Sequence, residues 1–174
     1  MPRGRSLSAK SKGSKRSALP PPPPPVILRV NTVKELEREV LTHAGAALVV
    51  VVSPLTPSTT DAMIAALEQL NSSRPQLLAE MHFVVVYALQ ATKEVCEALA
   101  VSSLPFVRCY AYGDVVSEFS GDNTEKMALL AKLAATAAAQ KAALLAEKEK
   151  QRHAEAEAAA AAAMDGAAPV ATGV

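Results

Sequence analysis

The chain has 174 residues and a formal net charge of +1; half of it is hydrophobic, yet only 3% is aromatic and there is no Trp. That length holds one domain with tails, and much of the apolar count is alanine, which fills helices without filling a large core. Two cysteines are too few for a disulfide scaffold, so a reducing, intracellular compartment is the expectation, cytoplasmic or cytoskeleton-associated.

Residues 1–25 carry Arg3, Arg5, Lys10, Lys12, Lys15 and Arg16 and no acid, against twelve basic and seventeen acidic residues in the remainder. A basic tail on an acidic body suits contact with an anionic surface, such as nucleic acid or a microtubule. No aromatics interleave with these cations, so base stacking is not indicated and binding would be electrostatic and salt-sensitive. Residues 1–19 are too polar to bury a core and read as disordered. They lack the apolar stretch of a secretory signal. Mitochondrial import is disfavoured, because residues 1–18 offer only Leu7, Ala9 and Ala18 toward an amphipathic helix. Pro20 to Pro25 predict a polyproline II spacer, a stiff linker that also suits an aromatic-lined groove on a partner.

Val26 to Val30 reads as a short strand. Thr32-Val33-Lys34-Glu35 fits a capping box, and Val33, Leu36, Val40 and Leu41 recur at helical spacing up to a stop at Gly45. Ala47 to Val52 is a β-branched run without polar alternation, as in a central strand covered on both faces. Its end is where an open α/β sheet places a site, here Ser53-Pro54-Leu55-Thr56-Pro57-Ser58-Thr59-Thr60-Asp61. A helix with Met63, Ile64, Leu67 and Leu70 follows, ended by Asn71 to Pro75. Phe83 to Tyr87 is a further buried strand, and Thr92 to Ala100 a helix with Val95, Cys96 and Leu99 inward. Next come Val101-Ser102-Ser103-Leu104-Pro105-Phe106, a strand from Phe106 to Ala111, a turn at Tyr112-Gly113-Asp114 and a strand from Val115 to Phe119. Alternation of Arg108 and Tyr110 with Val107, Cys109 and Ala111 suggests one less buried face. From Asn123 to about Ala163 the chain reads as one helix of about 60 Å. Asn123 or Thr124 caps it, Met127, Leu130 and Leu133 cover the sheet, and Leu130, Leu133, Ala137, Gln140 and Leu144 form a weak heptad. Charge interrupts its alanine-rich part, so no membrane span is expected.

The order helix, Val-x-x-Leu-Pro, strand, Gly turn, strand, Gly121, helix resembles the C-terminal half of the thioredoxin fold, and the likeness extends over roughly residues 26–140. It implies an α/β domain with a mixed central sheet flanked by helices, a C-terminal helical extension over 141–174, and a cis peptide before Pro105. It also implies a groove for extended polypeptide at Leu104, Pro105 and Phe106, with Phe106 where the family often has Thr. In the family the loop after the central strand carries Cys-x-x-Cys; alignment on Pro54 puts Thr56, Pro57, Ser58 and Thr59 there. Disulfide exchange needs a thiolate and a second, resolving thiol, and a threonine hydroxyl supplies neither. The family's buried carboxylate on the central strand has no counterpart in Leu48 to Val52.

Among other candidates, Cys96 and Cys109 fit small buried hydrophobes better than a redox pair. Ser53 and Ser58 have only Asp61 nearby as a base, and Asp61 also suits a helix N-terminus. His43, His82 and His153 show no ligand spacing, and no cofactor is indicated. The resemblance thus implies a thioredoxin-like module without redox chemistry, as in phosducin-like proteins, which contacts other proteins through the C-terminal helix or Pro-rich leader. The alternatives are an oxidoreductase, isomerase or chaperone working through one Cys or the Pro105 groove, and an anionic-polymer binder.

Overall fold

The structure, a computed structural model, describes residues 27–73 and 75–165, with side chains as far as Glu157. The basic leader, the proline run and the tail after Asp165 lie outside the described residues.

Strands β1 (Leu28–Arg29), β2 (Ala46–Val52), β3 (His82–Tyr87), β4 (Phe106–Ala111) and β5 (Asp114–Ser120) form one sheet in the order β1-β3-β2-β4-β5. β2 runs parallel to β3 and antiparallel to β4, and β4 pairs antiparallel with β5. The β-branched run thus occupies the middle of the sheet, and every residue of β2 is buried. Alternate side chains go to opposite faces of a strand, and β2 divides two cores accordingly. Leu48, Val50 and Val52 join Met63 and Leu67 of α2 (Pro57–Ser72) and Met127 of α4 (Thr124–Asp165). Val49 and Val51 join Leu36 of α1 (Val33–Leu36), Val40, and Val95 of α3 (Lys93–Ala98).

The capping box at Thr32 is present. Glu35 N–H donates to Thr32 Oγ1 at 3.3 Å, and the Glu35 carboxylate accepts from the amides of Thr32 and Asn31 at 3.3 and 2.8 Å. These donors, that of Asn31 foremost, lower the Glu35 pKa. Past α1 the helix widens into a π-turn over Glu37–Leu41 and stops at Thr42, not at Gly45. The Thr42 hydroxyl turns back onto the Arg38 carbonyl at 3.1 Å. Gly45 instead lies against His43, whose Nε2 is 2.7 Å from where a Cβ would sit.

Two further expectations change. Tyr110 is buried in the second core beside α1 and α3, so only Arg108 lies partly open on that face of β4. Arg108 stacks over the Phe106 ring at 5.0 Å and its Nε donates to Glu118 on β5 at 2.6 Å.

Asn123 caps α4, its Oδ1 accepting from Lys126 N–H at 2.8 Å. Met127 and Leu130 pack on the sheet as expected, but Leu133 does not: it is half exposed, and Ala131, Ala134, Ala135 and Ala138 complete the inner face. Alanines there leave room for the helix only close to the sheet, and a leucine does not fit. By length and composition alone, Thr124–Glu157 is long and apolar enough to cross a membrane. That hydropathy is largely alanine, and its inner stripe is already occupied by the sheet. Near the end of the helix's contact with the body, Lys141 Nζ pairs with Asp114 and lies 5.6 Å from the Tyr112 ring centroid, and Ala142 still lines a cleft shared with Gln76 and Leu77. From Ala143 to Glu157 every residue is exposed.

Candidate functional site

Parallel pairing of β2 with β3 brings the loops after Val52 and Tyr87 to one end of the sheet. Antiparallel pairing of Val51 with Phe106 brings the chain before β4 to the same end. The sequence-derived residues therefore converge from two distant segments: Thr56, Pro57, Ser58 and Thr59 on one side, and Leu104, Pro105 and Phe106 on the other.

Pro57 opens α2 at its first turn, where the missing N–H costs nothing and the fixed φ suits a helix start. Thr56, Pro57 and Ser58 are exposed, Thr59 is half-buried and Thr60 is buried. The hydroxyls serve the loop itself. Thr60 Oγ1 donates to the Ser53 carbonyl at 2.7 Å and Thr56 Oγ1 donates to the same oxygen at 3.3 Å, while Ser53 Oγ accepts from Leu55 N–H at 3.2 Å. Asp61 is not in the first turn of the helix but exposed on the next, so it does not cap the helix, and the Thr56 and Thr60 hydroxyls bond to the Ser53 carbonyl instead.

The Leu104–Pro105 peptide bond is cis. Ala100, in the left-handed region with φ 49°, ends α3, and its N–H and that of Val101 close the helix onto Glu97 and Cys96 carbonyls at 2.9 and 3.0 Å. Pro105 is buried, has no N–H, and its carbonyl accepts from Gly121 N–H at 2.8 Å. Pro105 thus offers no free backbone donor, and its carbonyl is already engaged. Phe106 does not fill the groove; it is 3% exposed and belongs to the second core. Leu104 is exposed, and so are Leu55 and Leu89 on the two neighbouring loops. Charged residues are lacking from 53–60, 88–92 and 99–107, which makes this end of the sheet apolar and hydroxyl-lined.

Cys96 borders a cleft of about 310 Å³ behind the Pro105 loop, together with Ala88, Val101 and Leu104. Its thiol pKa is raised, chiefly by burial, with the Thr92 hydroxyl partly opposing. Cys109 is fully buried in the first core, and burial raises its pKa as well. Both thiols are thus held in the protonated, poorly nucleophilic form at neutral pH.

The histidines group in a way that sequence spacing did not disclose. His43 and His82 stack face to face at the opposite end of the sheet, each bonded through one ring nitrogen to a backbone carbonyl, Glu80 for His43 at 3.3 Å and Glu39 for His82 at 2.9 Å. His153 is exposed on α4. No group of three His, Cys, Asp or Glu side chains suited to a metal ion occurs among the described residues.

No family model and no curated protein sequence matches this chain. Solved structures do. Thioredoxin from Malassezia sympodialis superposes with a TM-score of 0.56 at 7% identity, over 64% of this chain and 92% of that one. Thioredoxin from Trypanosoma brucei brucei gives 0.54 at 16%, over 67% and 95%. Spinach chloroplast thioredoxin f, in its short form, gives 0.53 at 20%, over 63% and 93%. With these identities the likeness is one of architecture, and the architecture is complete: five strands in mixed order, helices on both faces and a cis proline opening β4. This chain has a thioredoxin-like fold.

Proposed function

We propose that this chain is a thioredoxin-like protein-interaction module that carries out no thiol chemistry and contacts its partners through α4. The observation that carries the reading is the distribution of leucines on that helix. Leu129, Leu133 and Leu144 are 63%, 50% and 60% exposed, while alanines face the sheet. Large apolar side chains aligned on the outward face of one helix mark a contact surface. Hydroxyls at Thr56, Ser58 and Thr59 and the raised thiol pKa values support the absence of redox activity. Outside the described residues, the proline run and the basic leader supply a second, salt-sensitive contact.

The test has two arms. In an insulin-reduction assay the intact chain gives no turnover above the uncatalysed rate, and a C96S/C109S variant gives the same trace. In a native extract, the intact chain retains a reproducible partner set that Leu133→Glu loses while its circular dichroism stays unchanged. Turnover abolished by C96S overturns the first half; a partner set indifferent to Leu133→Glu overturns the second.

One observation favours a second reading. The cleft joining Cys96 to Leu104 beside the cis proline would suit an apolar segment held next to a single thiol. Partner capture abolished by Leu104→Asp and untouched by Leu133→Glu selects it.

A further inference from the structure

At 3.6 residues per turn, Leu129, Leu133, Thr136, Gln140 and Leu144 fall within about 80° of one another and form a stripe about 22 Å long. All five are exposed. The stripe is placed evenly about its middle, with a leucine at each end. A point between Thr136 and Ala137 lies midway between Leu129 and Leu144, and midway between Leu133 and Gln140.

From this symmetry we infer that α4 pairs antiparallel with α4 of a second copy of the chain. The inference rests on the reading of α4 as a contact surface and names its occupant. A two-fold interface must be self-complementary, each residue meeting its counterpart's partner in both directions. In the antiparallel alignment Leu129 comes level with Leu144 of the second copy and Leu133 with Gln140. Charge follows the same alignment. Lys126, whose Nζ lies 4.9 Å from the Phe119 ring centroid of its own β5 and is exposed, comes level with Glu147, and Glu125 within one turn of Lys150 on the same flank, so opposite charges meet at both ends of the stripe once Lys126 swings from that ring. A parallel alignment sets Lys126 against Lys126 and Glu147 against Glu147, and is repulsive at both ends. The sheet lies behind each helix and α2 flanks its start at Thr124, Glu125 and Ala128, so the two domains sit on the outside of the pair. Rim ion pairs of this kind choose orientation more than they add affinity, and the short stripe makes an association in the micromolar range.

The experiment uses the full chain. Sedimentation equilibrium from low micromolar to several hundred micromolar follows a monomer–dimer curve, and Leu133→Glu weakens it by about tenfold or more, the worth of burying one leucine. Orientation is read by oxidative cross-linking. Thr136→Cys, next to the two-fold axis, forms a disulfide dimer. Glu155→Cys, about 55 Å from its counterpart in the antiparallel pair, does not. Lys126→Glu weakens association and the K126E/E147K double variant restores it, which separates pairing from any effect on folding. A monomer at every concentration, or cross-linking of Glu155→Cys as efficient as that of Thr136→Cys, overturns the proposal. If the chain stays monomeric while Leu133→Glu still loses partners from extract, the second copy is excluded and the contact-surface reading survives; if neither assay responds to Leu133→Glu, both fall.

Discussion

His43 and His82 stack with ring centroids 3.6 Å apart and planes inclined by 16°, joining the turn before β2 to the first residue of β3. The Glu39 carboxylate lies 3.7 Å from His82 Nδ1, and Glu80 is the other acid facing His43. Burial first, and then repulsion from His82, lower the His43 pKa, with the Glu80 carbonyl and the two acids partly opposing. The folded state therefore disfavours protonated His43. Its contribution to stability is complete above the unfolded imidazole value of about 6.5 and is lost as pH falls toward the lower folded value. Urea titrations at a series of pH values are expected to show stability declining below about pH 6.5, and His43→Asn to flatten that decline. An identical slope in the variant would exclude the pair as its source.

The two cysteines should differ in reactivity. Cys109, fully buried in the first core, is expected to resist alkylation until the protein unfolds. Cys96, partly open with a raised pKa, should react more slowly than a free peptide thiol at pH 8. Timed iodoacetamide labelling with mass spectrometry reads both rates. Cys109→Ser places a hydroxyl in an apolar site and is expected to cost about 1–3 kcal/mol, against little for Cys96→Ser.

Opposite sides of α4 should respond to opposite changes. Ala134 is fully buried against the sheet, and Ala134→Leu is expected to destabilise by about 1–3 kcal/mol through overpacking. Leu133→Ala, one residue earlier but facing outward, should stay within about 0.5 kcal/mol. Chemical denaturation of the two variants side by side measures the contrast; equal costs would mean that the helix is rotated from the orientation described.

Of the four described positions with positive φ, Ala100, Tyr112, Gly113 and Gly121, two have opposite tolerances. Gly113 has φ +78°, and a Cβ there would lie 2.2 Å from the Leu41 carbonyl oxygen. Gly113→Ala should lose more than about 1 kcal/mol, because both the turn and the end of the π-turn must move. Ala100 adopts φ 49° without being glycine, and Ala100→Gly should gain about 0.5–1 kcal/mol by relieving its Cβ. Thermal melts of both variants settle the signs.

Much of the fold was legible because its signals are local. The unbroken valines of β2 announce burial on both faces, Thr32 with Glu35 announces a helix start, and Leu104-Pro105 before an apolar run marks the turn beside the candidate site. What escaped depends on distant partners. The inward course of Tyr110 follows from α1 and α3 covering that face of the sheet. The His43–His82 stack joins residues brought together by parallel strand order, which no spacing reveals. Leu133 was expected to serve the core with Met127 and Leu130, as large apolar residues usually do. Instead, close approach of α4 to the sheet admits alanine there and sends that leucine outward. In the loop at Thr56 to Thr59 the sequence already showed hydroxyls and no thiol, but only the folded structure reveals that the Thr56 and Thr60 hydroxyls turn back onto the Ser53 carbonyl.

The Lys141–Asp114 pair has a mechanical consequence. Beyond it α4 continues to Asp165, about 36 Å of rod fastened to the body only along its first half. A load applied to the far end acts on a lever whose fulcrum is this ion pair, the neighbouring Tyr112 ring and the turn at Gln76–Leu78. A sideways pull is therefore delivered to the β4–β5 turn, at the open edge of the sheet, and to the turn at Gln76–Leu78, before the loops around Pro105 feel any force.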